Sequence, residues 1–242
     1  MVFRFLKSME YFANFSEFEK TEDFDRLENR VAEKLESFSE YTTFLIPYND
    51  RKKLTAAEKV CIGNYQDVHS WNDQKQDWSF PIPGNWRKKS WCYVINSCCR
   101  NPEFYDLMTE DEKELIDFHF QNLDTAIQKS KADKDYWIYK GVSDIKWLEN
   151  PSEGTTYSDQ AYGSFSLDFQ KALEYTTLKN PVLFQLNLKK GMQALYVDQA
   201  EAEILRPRQK CYRIKTITVD SFPISKYINK ETIVYTIEEF KK

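Results

Sequence analysis

Three short runs in the second half of the chain carry side chains able to do chemistry: Tyr139-Lys140-Gly141, Ser164-Phe165-Ser166 and Glu201-Ala202-Glu203, in that order. On an extended strand, residues two apart point to the same face, so Glu201 and Glu203 are expected to present two carboxylates side by side. Such a pair suits opposing a developing positive charge, or gripping a guanidinium in paired charge-assisted hydrogen bonds. It suits a two-carboxylate glycosidase poorly, because there the two groups must flank the scissile bond. Taken singly, each run is a weak signal. Ser-Phe-Ser recurs at Ser37–Ser39, and Glu-x-Glu recurs at Glu17/Glu19, Glu110/Glu112 and Glu112/Glu114. In a chain with 38 acidic residues, most such pairs lie on solvated faces.

The elements that must position these runs divide the chain into a helical half and a β half. Phe24, Leu27, Val31, Leu35 and Phe38 fall at helical spacing on one face. Thr55-Ala-Ala-Glu58 is a capping-box pattern that predicts a helix start. Thr109-Glu-Asp-Glu112 repeats it ahead of Ile116, Phe120, Leu123 and Ile127. His119 shares that apolar face and reads as a structural histidine. Residues 71–90, with Pro81, Pro83 and Gly84, read as a long loop. Beyond residue 135 the period changes. Tyr136–Val142 is aromatic and β-branched, and Val182, Phe184, Leu186 and Leu188 alternate with Leu183, Gln185 and Asn187, as in a half-buried strand. Cys211–Val219 and Thr232–Ile237 look similar, with one helix near residues 167–177. Helices followed by strands predict an α+β architecture rather than a doubly wound one.

The 242 residues are 41% hydrophobic and 30% charged, as in a globular chain. The net charge of −4 gives no general attraction to nucleic acid. No apolar stretch approaches the roughly 20 residues of a membrane span, so no membrane association is expected. Five cysteines, two of them adjacent, and two histidines far apart in sequence show no metal-ligand spacing. A reducing cytosol, the cell's own or that of a cell the protein acts in, is the expected setting.

The three runs sit in recognisable surroundings. Tyr162-Gly163-Ser164-Phe165-Ser166-Leu167 is followed by Ala172 and Tyr175, then by Phe184-Gln-Leu-Asn-Leu-Lys-Lys-Gly191, then by Glu201-Ala-Glu-Ile-Leu-Arg-Pro207. Upstream stand Leu54-Thr-Ala-Ala-Glu58 with Ile62 and Tyr65, then Tyr93-Val-Ile-Asn-Ser-Cys-Cys-Arg100, then Leu123-Asp-Thr-Ala-Ile127. This order, over residues 54–220, resembles the arginine–serine–glutamate class of mono-ADP-ribosyltransferases, which includes binary toxins and phage-encoded transferases. Three of only six glycines, Gly141, Gly163 and Gly191, fall at the family's positions. The resemblance implies a β-sandwich core of two packed, mainly antiparallel sheets around an NAD cleft, following the helical half. It implies a catalytic domain over residues 51–242, with helices in 51–130 and the β core in 135–240, preceded by a helical extension over residues 1–50.

The implied activity is cleavage of NAD, release of nicotinamide and transfer of ADP-ribose, with NAD as substrate and no metal. By resemblance, Glu203 opposes the charge developing on the ribose, Ser164 orients Glu203, and Glu201 accompanies modification of a protein arginine. Lys140 is expected to bind the pyrophosphate and the Gly141 amide to meet the nicotinamide carboxamide, with Tyr93 and Asn96 contacting NAD from a neighbouring helix. A monomer is expected. Two features depart from the family. Lys140 stands where the family has arginine, keeping the charge but losing the planar fork. The stretch Tyr196-Val-Asp-Gln-Ala200 before Glu201 is short for an acceptor-recognition loop, and only Tyr196 could serve as the aromatic displayed there. A small-molecule or nucleic-acid acceptor therefore stays open, as do an NAD glycohydrolase and a binding module that keeps the fold without catalysis.

Overall fold

The structure is a computed structural model that describes residues 53–66, 90–142, 145–176, 181–198, 201–225 and 228–241. The helix read at Phe24–Phe38, the extension 1–50 and residues 71–89 of the long loop lie outside these.

Both capping boxes form. In helix α1 (Ala56–Gln66) the Thr55 amide donates to Glu58 Oε2 at 2.7 Å and the Glu58 amide to Thr55 Oγ1 at 3.2 Å. Glu58 is buried and is met again by Lys129 Nζ, at 2.7 and 2.9 Å from its two oxygens. Helices α2 (Trp91–Arg100) and α3 (Pro102–Asp106) precede the long helix α4 (Glu110–Gln128). There the Thr109 amide donates to Glu112 Oε2 at 2.9 Å, and the Glu112 amide donates to Thr109 Oγ1. Thr109→Ala removes one side of that cap and is expected to lower stability by about 1 kcal/mol. That corresponds to a drop of about 3 °C in the melting temperature, read by thermal denaturation; an unchanged midpoint would mean that tertiary packing alone holds the helix end.

His119 is structural, as its apolar face suggested. It is 3% exposed and stacks on Trp91 with ring centroids 4.1 Å apart. Nδ1 donates to the Leu115 carbonyl at 2.7 Å and Nε2 accepts from Asn64 Nδ2 at 3.0 Å, which satisfies the neutral ring. Burial holds its pKa below the ordinary histidine value.

The strands are β1 (Tyr136–Val142), β2 (Thr156–Asp159), β3 (Gly163–Ser166), β4 (Val182–Leu188), β5 (Leu195–Asp198), β6 (Glu203–Arg206), β7 (Lys210–Ser225) and β8 (Ile228–Phe240), with helix α5 (Phe169–Glu174) between β3 and β4. They form one eight-stranded sheet in the order β2-β7-β8-β4-β1-β3-β6-β5, antiparallel except for β4 beside β8. The two sheets expected from sequence are halves of this one. They are joined between β1 and β3 at a single residue pair, Tyr139 with Ser166. A hinge of one pair lets the halves turn their inner faces together. Ile138, Phe184, Leu186, Tyr212 and Tyr235 of one half share a core with Phe165, Tyr196 and Ile204 of the other.

Alternation along the strands then sets what covers the outer faces. Leu205, Leu195 and Val197 point away from that core and pack beneath α1, α2 and α4 with Ile95, Ile116 and Leu123. On the opposite flank α5 lays Ala172 and Leu173 over Leu183 and Val234. The β4 strand is therefore covered on both faces at its start, where alternation alone predicted a half-buried strand. Strands β2 and β5, each four residues long, are too short to show a period of their own.

Candidate functional site

Glu203 opens β6 at the edge of the helical flank. Across the β3–β6 ladder, Ser164 pairs with Leu205 and Ser166 with Glu203, which puts Ser164 one diagonal step from Glu203 on the same face. The Ser164 hydroxyl donates to Glu203 Oε1, and the carboxylate is only 9% exposed. The serine–carboxylate pair expected from sequence is therefore in place, bonded and largely withdrawn from solvent.

Glu201 arrives by a different route from the one its spacing suggested. The strand begins at Glu203; Glu201 and Ala202 form a turn, and Ala202 has φ +51°, in the left-handed region. Same-face alternation therefore does not place the two carboxylates together. A left-handed residue that is not glycine is strained and persists only where its surroundings hold it. Here the Ser166 hydroxyl donates to the Glu201 carbonyl at 2.7 Å, and the Leu167 amide donates to the Ala202 carbonyl at 3.0 Å. Ser166 also accepts from the Asp168 amide at 3.0 Å, which links this turn to the start of α5. Ser166 thus fixes the backbone at Glu201, which its place in the Ser-Phe-Ser run alone does not indicate.

Two neighbours, Tyr175 and Cys92, lie within the field of both glutamates, and a third, Tyr65, within that of Glu203. Tyr175, just past α5, has its phenol pushed up by burial and then by the charge of, and a hydrogen bond with, Glu201, with Glu203 adding to the effect. Burial pushes the Cys92 thiol up to about 11, with both glutamates contributing. Tyr65 of α1 is raised by burial and then by Glu203.

The α2 face that carries Tyr93, Asn96 and Arg100 reaches Tyr65. Asn96 Nδ2 donates to the Tyr65 hydroxyl at 2.8 Å, and Asn96 Oδ1 accepts from the Tyr162 amide at 3.3 Å. Its amide thus ties α1, α2 and the approach to β3 together. Tyr93 is half-buried on the same face.

On β1, Lys140 Nζ lies 3.1 Å from Asp159 Oδ2 and 5.7 Å from the centre of the Phe165 ring, whose residue follows Ser164. Arg100 NH2 lies 3.3 Å from the other Asp159 oxygen. Neither Arg100 nor Asp159 was singled out as a site residue from sequence. Arg100 stood at the end of the helix run, whereas nothing local marked Asp159. Gly141 is tight for a reason of its own: a Cβ there would meet the Ala172 carbonyl oxygen of α5 at 1.8 Å. Tyr196 is 6% exposed and faces the core between the sheet halves, so it is not an aromatic displayed to an acceptor.

Among the described residues no cluster of three His, Cys, Asp or Glu is placed to hold a metal ion. No described helix is long and apolar enough to cross a membrane.

Residues 91–242 match the model of the ADP-ribosyltransferase exoenzyme family. No curated protein matches the chain by sequence. Among solved structures, Plx2a, an ADP-ribosyltransferase toxin from Paenibacillus larvae, aligns over 86% of this chain and 97% of its own, at 20% identity and a TM-score of 0.56. The enzymatic component C2-I of the C2 toxin from Clostridium botulinum aligns over 82% of this chain and 47% of its own, at 16% identity and a TM-score of 0.58. The ADP-ribosyltransferase Vis in complex with agmatine aligns over 88% of this chain and 86% of its own, at 14% identity and a TM-score of 0.58. At these identities the structural likeness speaks for the fold.

Proposed function

Because this chain belongs to the ADP-ribosyltransferase exoenzyme family, we propose that it cleaves the N-glycosidic bond of NAD, releases nicotinamide and transfers ADP-ribose to a guanidinium, most simply a protein arginine. The observation that carries this reading is the hydroxyl of Ser164 bonded to the buried carboxylate of Glu203. Nicotinamide leaves NAD without needing a general acid, because it already carries the positive charge it loses on departure. What the enzyme must supply is a fixed negative charge against the cation left on the ribose. A carboxylate locked by a strand serine meets that need without reorganising.

Glu201 is the acceptor-binding group in this reading, with the Tyr175 hydroxyl holding its carboxylate. A carboxylate grips a guanidinium bidentately, and the relative Vis has been crystallised with agmatine, itself a guanidine. Glu201→Gln is expected to lower labelling of agmatine or an arginine peptide at least about tenfold, by loss of charge-assisted bonds, with nicotinamide release into water retained. An equal fall in both reactions would place Glu201 at the ribose instead and remove its acceptor role.

A second reading, hydrolysis with water as acceptor, is favoured by one feature. Asp198 pairs with Glu203 across β5 and β6, so only residues 199–202 connect the strands. That connection is short for an element that recognises a protein surface. Nicotinamide release with no labelled acceptor from a panel of proteins and guanidines would favour hydrolysis; no release at all would overturn both enzymatic readings in favour of a binding module.

A further inference from the structure

We propose that Asp159 is a positioning residue that gathers Lys140 and Arg100 into one cationic cradle for the pyrophosphate of NAD. The inference rests on the reading of the chain as an NAD-cleaving enzyme and assigns a device to its phosphate subsite. Lys140, a point charge, stands where a guanidinium fork would be expected, and one ammonium cannot reproduce a planar bidentate contact. The structure supplies a second cation from another element. Asp159 ends β2, and its carboxylate meets Lys140 Nζ at 3.1 Å with one oxygen and Arg100 NH2 at 3.3 Å with the other.

The carboxylate is itself fixed. Asp159 Oδ1 accepts from the Ala161 amide at 3.2 Å, and the strand around it pairs with β7 through Asp159 and Lys210. Its side chain is 15% exposed, while those of Lys140 and Arg100 are 25% and 48% exposed. The carboxylate is thus the least exposed of the three groups and the Arg100 guanidinium the most open to a ligand. Burial alone would push the acid of Asp159 up, but the two cations bring it below its ordinary value, so it is ionised at neutral pH. Two cations and one carboxylate leave a net positive charge to meet a dianionic pyrophosphate.

The cradle also has a neighbour in common with Glu203. Lys140 lies over the ring of Phe165, and buried Tyr65 lies within the field of both Glu203 and Arg100. Arg100 stands one helical turn beyond Asn96, whose amide fixes Tyr65 and Tyr162.

Asp159→Asn separates geometry from net charge. It keeps the shape and a side-chain acceptor for Ala161, and it adds one unit of positive charge to the subsite. If that added charge dominated, NAD would bind more tightly. The cradle predicts the opposite, because two like charges without their shared anion separate into solvent and must be regathered by the ligand. The experiment measures kcat and KM for NAD, and inhibition constants for ADP-ribose and for nicotinamide, in the parent and in Asp159→Asn. KM for NAD and the ADP-ribose constant are expected to rise together by about tenfold, with kcat and the nicotinamide constant held within about twofold. Unchanged or lower values for the two phosphate-bearing ligands would overturn the cradle, as would a parallel loss of nicotinamide affinity, which marks general damage to the cleft. Should the parent release no nicotinamide, the enzymatic reading fails separately. Calorimetric binding of ADP-ribose then still decides the cradle: weaker binding by the variant supports it, and equal binding, or none by the parent, overturns it.

Discussion

Glu203→Gln is expected to lower nicotinamide release from NAD by at least about a hundredfold, while the dissociation constant for NAD stays within about threefold of the parent. The asymmetry follows from when the charge arises. Bound NAD carries its positive charge on the nicotinamide ring. As the bond to the ribose breaks, that charge moves onto the sugar. A carboxylate placed at the sugar gains attraction along the reaction path and so lowers the barrier rather than the ground state. Removing a fixed electrostatic group of this kind typically costs about 3 to 4 kcal/mol, or two to three powers of ten in rate. Glutamine keeps the volume and a carbonyl oxygen that still accepts from the Ser164 hydroxyl, so the Glu203 bond to β3 is not abolished. Folding stability is therefore expected to hold. A variant that retained more than about a third of parental release would remove Glu203 from the chemistry, and a variant that failed to bind NAD would assign it to ground-state binding instead.

Much of the scaffold around that carboxylate was legible because it is written locally. A capping box is a four-residue pattern whose partners are its own neighbours, so Thr55–Glu58 and Thr109–Glu112 form as the sequence implies. The alternation in Val182–Leu188 and the change of period near residue 135 likewise depend only on nearby residues. Ser164 and Glu203 were singled out through the order of motifs along the chain, and the ladder between β3 and β6 brings them together.

What escaped the sequence depends on contacts far apart in it. Asp159 is one acidic residue among many, and only the fold sets it between a lysine of β1 and an arginine of α2. The turn at Ala202 looks like strand in the sequence, since alanine gives no sign of a left-handed backbone; Ser166 and Leu167 impose it from another strand. The single pair that joins the sheet halves is also invisible locally, because a strand records the period of its side chains and not how many residues its neighbour pairs with. Tyr196 shows the same limit, as its aromatic type suited exposure near the acceptor while its register turned it into the core.

Gly141 brings sequence and fold into direct opposition, and Gly141→Ala decides between them. Its φ lies outside the left-handed region, so the backbone there accepts an L residue. On conformational grounds alone alanine would then stabilise, by about 0.4 to 1 kcal/mol, through the unfolded chain it restricts. Packing predicts the reverse. The new Cβ would lie 1.8 Å from the Ala172 carbonyl oxygen, 2.9 Å from its carbon and 3.1 Å from Thr176 Cγ2. The first two are backbone atoms of α5, which no rotamer change can move. The helix is also pinned, by Asp168 accepting from the Gln170 amide at 2.8 Å and by Ala172 and Leu173 packed on Leu183 and Val234. Relief requires α5 to withdraw by roughly an ångström or more, opening the small core beneath it. We expect a loss of about 3 kcal/mol, seen as a fall of about 10 °C in the melting temperature. The displacement should also reach the site, since α5 leads into Tyr175, which holds Glu201. Guanidine modification is therefore expected to fall more than nicotinamide release, even below the melting transition. A melting temperature equal to or above the parent's would mean that the sheet yields at β1 in place of the helix, and that the glycine is not there to admit α5.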